Sequence, residues 1–299
     1  YADKDPTVVL GSELLKGIGS ARLGKSKIFI CEGDESNNSI LEFKPKVSVV
    51  TNIDCDHMDF HGSLGNLKDS FIRFLNAPGR GGFSVVCTDD ENIRSILPKL
   101  TGRVVSYGFN KDADYQAQGR KVNERGGISF QIHHKTKGPL GRVELPFPGD
   151  HNVLNALATV AVCAEWGLRL DHVTLALDEF NGVHRRYERI YQDDDSGIRI
   201  IDDYAHHPSE IMALLKAARE VHKGRLRAIF QPHRYTRSKN LATEFPPAFA
   251  LADEIILAPI YTANEPPIAG IGVDYLNRFF QECYKGEMKL KCMRSLEEI

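Results

Sequence analysis

Short apolar runs of β character alternate with helical runs along most of this chain, and no other feature narrows its possible folds as much. Between Lys27 and Gly108, strands are predicted at Ile28-Phe29-Ile30-Cys31, Val47-Ser48-Val49-Val50, Phe83-Ser84-Val85-Val86 and Val104-Val105-Ser106-Tyr107. Between the second and third of these, Leu64, Leu67, Phe71, Phe74 and Leu75 recur at helical spacing and predict a helix with one apolar face. Strands that alternate with helices pair in parallel. From Tyr115 to Leu145 the residues alternate more strictly, with Gly126-Gly127 between two β runs, which predicts an antiparallel hairpin added to that sheet.

Pro148-Gly149-Asp150 introduces a helix from His151 to Trp166, with Asp150 as its N-cap and Gly167 as its stop, and a second helix runs from about His172 to Phe180. After Asn181-Gly182-Val183 the alternation resumes. Strands are predicted at Ile198 to Ile201, Leu226 to Phe230, Ile255 to Leu257 and Met288 to Lys291, with helices from Pro208, near Leu241 and from Val273. Pro208 suits a first helical position, where its missing amide hydrogen costs nothing. A chain of 299 residues accommodates about two domains, here divided into residues 1–183 and 184–299. A formal charge of −2 gives no support to a nucleic-acid or membrane-surface partner. The six cysteines are dispersed without a C-x-x-C pair, which fits a reducing cytoplasm. The longest apolar stretch, around Ala156 to Ala164, is too short to span a bilayer.

Chemistry-bearing residues gather where predicted strands open into loops, the usual place for ligands in α/β sheets. Cys31-Glu32-Gly33-Asp34-Glu35-Ser36 offers three acids in four residues, able to hold a hard cation such as magnesium or to stand as a solvated acidic loop. Thr51-Asn52-Ile53-Asp54-Cys55-Asp56-His57-Met58-Asp59 follows the next strand. If the two strands are neighbours, Glu32 and His57 share one metal or phosphate site. Asn152 and Asn155 lie three apart on one helix face, where two amides can read a base edge, although asparagine near a helix start is often only a cap. Arg185-Arg186 at the domain junction can reach nucleotide phosphates or form ion pairs between domains. Asp202-Asp203-Tyr204-Ala205-His206-His207-Pro208 and Phe230-Gln231-Pro232-His233-Arg234-Tyr235-Thr236-Arg237 each follow a run read as a buried strand, and they suit anionic ligands better than a core.

Taken in order, Glu32-x-Asp34-Glu35-Ser36, Thr51-Asn52-Ile53-x-x-Asp56-His57-Met58-Asp59, Gly149-x-His151-Asn152-x-x-Asn155-Ala156, Arg185-Arg186-Tyr187-Glu188, Asp202 to Pro208 and Phe230 to Arg237 closely resemble the Mur ligases of peptidoglycan synthesis. The last two resemble the alanine-adding branch, and the likeness runs from about Asp5 to about Leu276. The resemblance implies a central ATP-binding domain of P-loop-NTPase type, with a parallel sheet plus antiparallel hairpin, followed by a Rossmann-like C-terminal domain. It further implies an N-terminal domain for the UDP moiety and a Gly-x-x-Gly-Lys-Thr/Ser loop. Neither is recognised here, so the chain is expected to be a fragment, incomplete at both ends and inactive or non-catalytic as it stands.

By the same resemblance, the activity is ATP- and Mg2+-dependent ligation of L-alanine to UDP-N-acetylmuramate through an acyl phosphate. Glu32 and His57 would be catalytic metal positions, Asn152, Asn155, Arg186 and Asp203 would bind ATP, and Tyr204, His206, His233, Arg234 and Arg237 would bind substrate. Where several relatives carry a carbamylated lysine, this chain has Phe71, with Lys68 three residues earlier. A muropeptide-recycling ligase that adds a tripeptide to the same nucleotide sugar is the alternative, and Asp56-His57-Met58-Asp59 followed by His61-Gly62 favours the biosynthetic member. A nicotinamide oxidoreductase is disfavoured, because no Gly-x-Gly-x-x-Gly follows a predicted strand.

Overall fold

The strand β5 (Phe83–Cys87) is buried along its whole length, and a strand buried on both faces is the mark of a sheet interior. In the computed structural model, which describes residues 4–17, 19–193 and 195–298, β5 lies second in a six-stranded sheet. The order is β4 (Val47–Val50), β5, β6 (Val104–Gly108), β7 (Tyr115–Val122), β8 (Ile128–His134) and β9 (Gly138–Leu145). The first four strands run parallel, and β7, β8 and β9 are antiparallel to one another. The expected hairpin is therefore a three-stranded meander. Gly138 and the irregular run that follows it had hidden the third strand.

The register of β4 on β5 sets Ser48 opposite Ser84. Their buried hydroxyls lie 2.9 Å apart, and Ser84 Oγ donates to the Leu75 carbonyl at 2.5 Å, so two polar groups enter the core with partners. Leu75 closes α2 (Leu64–Leu75), which follows a four-residue helix α1 (Met58–His61) and takes Ser63 as N-cap. Phe71 packs against the core, and Lys68 Nζ donates to Ser95 Oγ. The short α3 (Glu91–Ile96) links β5 to β6.

The helix α4 (Asp150–Glu165) packs against β5, β6 and β7 through Val153, Leu157 and Val160, with Ala156 and Ala161 allowing close approach. Each fully buried aliphatic side chain of this kind contributes roughly 1.5–3 kcal/mol relative to exposure. Its N-cap is Gly149 rather than Asp150. Asp150 is the first helical residue, and its carboxylate meets Arg120 Nε at 2.6 Å. Gly167, at φ 82°, ends the helix as expected, with the Leu168 amide returning to the Cys163 carbonyl at 2.9 Å. The next helix, α5 (Leu170–Asp178), packs on β9.

The strand β3 (Phe29–Cys31) is not a neighbour of β4, the condition on which a shared Glu32 and His57 site was read, and pairs in parallel with β1 (Thr7–Val9) in a separate sheet completed by β2 (Ala21–Arg22). The β1 segment had gone unrecognised because its apolar stretch is only three or four residues long.

The chain divides into two compact units, Tyr1–His184 and Arg185–Ile299. In the second, β12 (Arg227–Phe230), β13 (Glu254–Leu257) and β14 (Lys289–Cys292) form a parallel sheet. Its apolar core joins Phe230, Ile255 and Leu257 to residues of α6 (Pro208–Val221), α8 (Phe245–Ala248) and α9 (Val273–Tyr284). Buried Glu254 sits opposite Arg227 and Lys289 in register, and its carboxylate meets Arg227 Nε at 2.8 Å and Lys289 Nζ at 3.3 Å. The strand β11 (Ile198–Asp202) pairs antiparallel with β10 (Glu188–Asp193), not with β12. Ile198 and Ile200 stand about half exposed, so the run before Asp202 is not the buried strand that its composition suggested. Between β12 and α8, the short α7 (Tyr235–Asn240) carries the end of the Phe230 to Arg237 segment. No helix among the described residues is long and apolar enough to cross a membrane.

Candidate active site

In the first unit the acidic loop begins directly at the end of β3. The Glu32 amide donates to the Val9 carbonyl, and the Gly11 amide donates to Glu32 Oε2 at 2.8 Å. A Cβ at position 11 would lie 2.9–3.0 Å from the Glu32 carboxyl atoms, so the absence of a side chain there lets the carboxylate rest on the backbone. The Asp34 carboxylate accepts the Ser36 amide at 2.8 Å within its own loop. It is held below its usual range, first by hydrogen bonds from the Ser36 side chain and amide, against a small opposing effect of burial. Glu32 and Asp34 are both exposed, and Asp34 differs in that its carboxylate is engaged by Ser36 of its own loop.

His57 follows β4 by a loop and occupies the left-handed region at φ 55°. Its Nε2 lies 3.9 Å from Glu35 Oε1 and 3.7 Å from Asp56 Oδ2. The two loops meet although their strands are not paired, and the acid facing His57 is Glu35 rather than Glu32. What joins the loops is His61, buried at 5% exposure, whose Nε2 lies 2.9 Å from the Glu35 carbonyl. A carbonyl only accepts, so that nitrogen carries the ring proton. Motif reading passes over His61 as a bonding residue, because nothing in the spacing tells a buried ring from a surface one.

Among the described residues no group of three or more His, Cys, Asp or Glu side chains stands together as a metal cluster. Magnesium bound by one or two carboxylates and completed by substrate phosphates needs no such cluster. An exposed Glu32 carboxylate cradled on Gly11 fits that mode.

On α4, Asn155 is exposed, whereas the Asn152 amide nitrogen donates to the Pro148 carbonyl at 2.8 Å and closes the turn that starts the helix. The two residues share a helix face but differ in what they can offer a ligand.

In the second unit, residues of three loops meet at the carboxyl end of β12. Arg185 and Arg186 place their guanidinium carbons 4.7 and 5.9 Å from the centroid of the Tyr204 ring. The rings of Tyr204 and His206 lie 4.8 Å apart, and those of His206 and His233 lie 5.2 Å apart. Arg237, 9% exposed, directs Nη1 to His233 Nδ1 at 3.0 Å. Burial, reinforced by the positive neighbours His206, Arg237 and Arg234, lowers the His233 pKa to about 4. Asp203 accepts the Tyr187 amide on Oδ2 at 2.7 Å and the Ala205 amide on Oδ1 at 2.8 Å, so its carboxylate also fixes the loops that carry Arg186 and Tyr204.

Two acids outside the singled-out residues organise this region. Glu210, third in α6, accepts the amides of His206 and His207 at 3.0 and 3.1 Å, completes a capping box and lies 3.8 Å from Arg186 Nη1. The His-Pro-Ser-Glu spacing is a readable signal for it. Glu265 accepts the Thr236 amide and hydroxyl at 3.0 and 2.6 Å. No motif marks it.

Residues 13–163 match the family model described as the Mur ligase middle domain, and residues 185–274 match the Mur ligase glutamate ligase domain. The chain is 42% identical over 274 residues to the UDP-N-acetylmuramate--L-alanine ligase of Geotalea daltonii, covering 91% of this chain and 59% of that protein. It is 43% identical over 270 residues to the enzyme of the same name from Dictyoglomus turgidum, covering 89% of this chain and 57% of that protein. The chain thus spans a little under three fifths of these curated relatives. Among solved structures, UDP-N-acetylmuramate-alanine ligase MurC of Thermotoga maritima superposes with a TM-score of 0.77 at 30% identity, over 97% of this chain and 60% of that one. Mycobacterium tuberculosis folylpolyglutamate synthase shares the fold, with a TM-score of 0.69 at 18% identity over 92% of this chain and 60% of that one. With its middle-domain match covering half of the residues and its second-unit match beginning where the second unit begins, the chain belongs to the Mur ligase family.

Proposed function

We propose that the protein carrying this chain joins L-alanine to UDP-N-acetylmuramate with ATP, through an acyl phosphate on the muramoyl carboxylate, in peptidoglycan precursor synthesis. The observation that carries this reading is the cluster at the end of β12. It presents two guanidiniums, Arg234 and Arg237, beside the rings of His233, His206 and Tyr204. Guanidinium forks suit a carboxylate through paired N–H donors, and the relatives with 40–43% identity carry the alanine ligase name.

In this reading Arg234, Arg237 and His233 hold the amino-acid carboxylate and the acyl product, together with Tyr204 and His206. Asn155 and Asn152 contact the adenine, Arg186 the phosphates and Asp203 the ribose hydroxyls. Glu32 is the magnesium-binding carboxylate, with His57 at a second metal position. When bound there, magnesium supplies charge neutralisation between the nucleotide phosphates and the reacting carboxylate. Arg186 adds a fixed positive charge of its own. His233, neutral near pH 7, can donate from Nε2 without adding another cation beside Arg234 and Arg237. The reaction then depends on alignment and charge compensation rather than on covalent attachment to this chain.

The test uses the protein as encoded, with whatever sequence flanks this chain. Phosphate release that requires ATP, UDP-N-acetylmuramate and free L-alanine together supports the reading. Turnover with L-alanyl-γ-D-glutamyl-meso-diaminopimelate but not with L-alanine assigns the recycling reaction instead, and no release with either removes the ligase assignment.

A further inference from the structure

Arg234 adopts φ 69° and ψ 143°, a backbone conformation that glycine tolerates and other residues rarely do. Such a conformation persists only where the surroundings over-determine it. Here they do so from two sides. The Arg234 carbonyl accepts both the Ser238 amide at 3.1 Å and the Ser238 hydroxyl at 2.7 Å. The Arg234 amide donates to the Tyr261 carbonyl, and the Tyr261 amide returns to the Pro232 carbonyl, both at 2.8 Å. Tyr261 belongs to the loop after β13, and that loop reaches α7 a second time through Glu265, whose carboxylate takes the Thr236 amide and hydroxyl. Between these anchors, Ala263 and Asn264 are consecutive left-handed residues at φ 48° and 65°, which turn the loop back so that Glu265 faces Thr236.

The carboxylate of Glu265 is the strongest of these anchors, since it is an ionised acceptor for two donors. Burial raises its pKa, but the hydrogen bonds from Thr236 and the nearby Arg234 charge outweigh this and leave it below its usual range. Arg234 Nε is itself buried without a hydrogen-bond partner, so its guanidinium is held at this place by the backbone rather than by a side-chain bond at Nε.

We infer that Glu265 is a positioning residue for the carboxylate-binding site, holding Arg234 in its left-handed conformation by clamping Thr236 to the loop after β13. The inference rests on the ligase reading for its substrate and on the described geometry for its mechanism, and the experiment separates the two. In the full-length protein, Glu265→Ala raises the KM for L-alanine at least tenfold, while the KM for ATP and the kcat at saturating alanine stay within about threefold. Glu265→Gln, which keeps an acceptor oxygen for Thr236, recovers most of the alanine affinity. Independently of any substrate, amide hydrogen exchange at Arg234 and Thr236 quickens at least tenfold in Glu265→Ala. Quickened exchange with no alanine dependence in the parent protein leaves the clamp standing and defeats the alanine-adding reading. An unchanged alanine KM in Glu265→Ala where the parent uses alanine, equal rises in the alanine and ATP KM values, or unchanged exchange at Arg234 overturns the positioning role.

Discussion

Arg237 donates through Nη1 to Nδ1 of His233 at 3.0 Å, and this one bond fixes which imidazole nitrogen carries the proton. With Nδ1 accepting, the neutral ring bears its hydrogen on Nε2, and a second proton has no place except on the nitrogen that faces a guanidinium. Burial acts in the same direction, and the His233 pKa falls to about 4. The folded state therefore binds fewer protons than the unfolded chain between about pH 4 and the ordinary histidine value of 6.5. Stability contributed by this group is present above that window and is lost as pH falls through it. Urea unfolding midpoints should decrease from pH 7 to pH 4.5 by less in His233→Gln than in the parent. A directly observed His233 titration with a midpoint near 6.5 would remove this account.

Arg234→Gly should stabilise the chain while removing the guanidinium. Relief of the left-handed backbone is expected to contribute about 1 kcal/mol, at the lower end of the strain typical of such residues. A urea midpoint that rises, together with an alanine KM at least tenfold higher in the full-length protein, is the expected pair of results. A midpoint that falls would show that the conformation is unstrained.

Glu32 offers a test of the magnesium assignment from both sides of one contact. Glu32→Gln keeps an oxygen for the Gly11 amide but loses the charge, and turnover should fall at least a hundredfold with little change in thermal midpoint. Gly11→Ala would place a methyl 2.9–3.0 Å from the carboxyl atoms of Glu32 and displace the carboxylate, which is the mobile partner. That variant should fold and need more magnesium for half-maximal rate. Wild-type magnesium dependence in Gly11→Ala and wild-type turnover in Glu32→Gln would count against the assignment.

His61→Ala should cost about 2–4 kcal/mol, because it removes a buried ring and leaves the Glu35 carbonyl without its donor. His61→Gln, which retains an N–H donor, should recover part of that loss. Chemical denaturation of the isolated variants reads both.

Glu210→Ala should lower stability by about 1 kcal/mol through loss of the capping box at the start of α6. Because Glu210 also lies 3.8 Å from Arg186, the same variant should change the ATP KM more than the alanine KM. Equal effects on both would assign Glu210 to the helix cap alone.

The strands β4, β5, β6 and β13 and the helices α2, α4 and α6 were legible in the sequence, because each is a run of apolar residues at a period of two or near four, bounded by a cap or a break. That the motif segments follow strands was legible for the same reason, but the burial of those strands was not, since Ile198, Ile200 and Ile229 are about half exposed. Pairing was not. That β3 joins β1, that β11 joins β10, and that β7 to β9 make a meander are facts of register between distant segments, to which local periodicity is blind. The same limit applies within the sites. Sequence alone determined that Glu32, His57, His233 and Arg234 stand on loops after strands, because the composition of one short segment suffices for that. Only the tertiary structure decided that Glu35 rather than Glu32 faces His57, that Asp203 spends its oxygens on two amides, and that Glu265 reaches Thr236 across 29 residues of chain. Hydrogen bonds act over about 3 Å of space whatever the separation along the chain, so their partners are chosen by the packed fold.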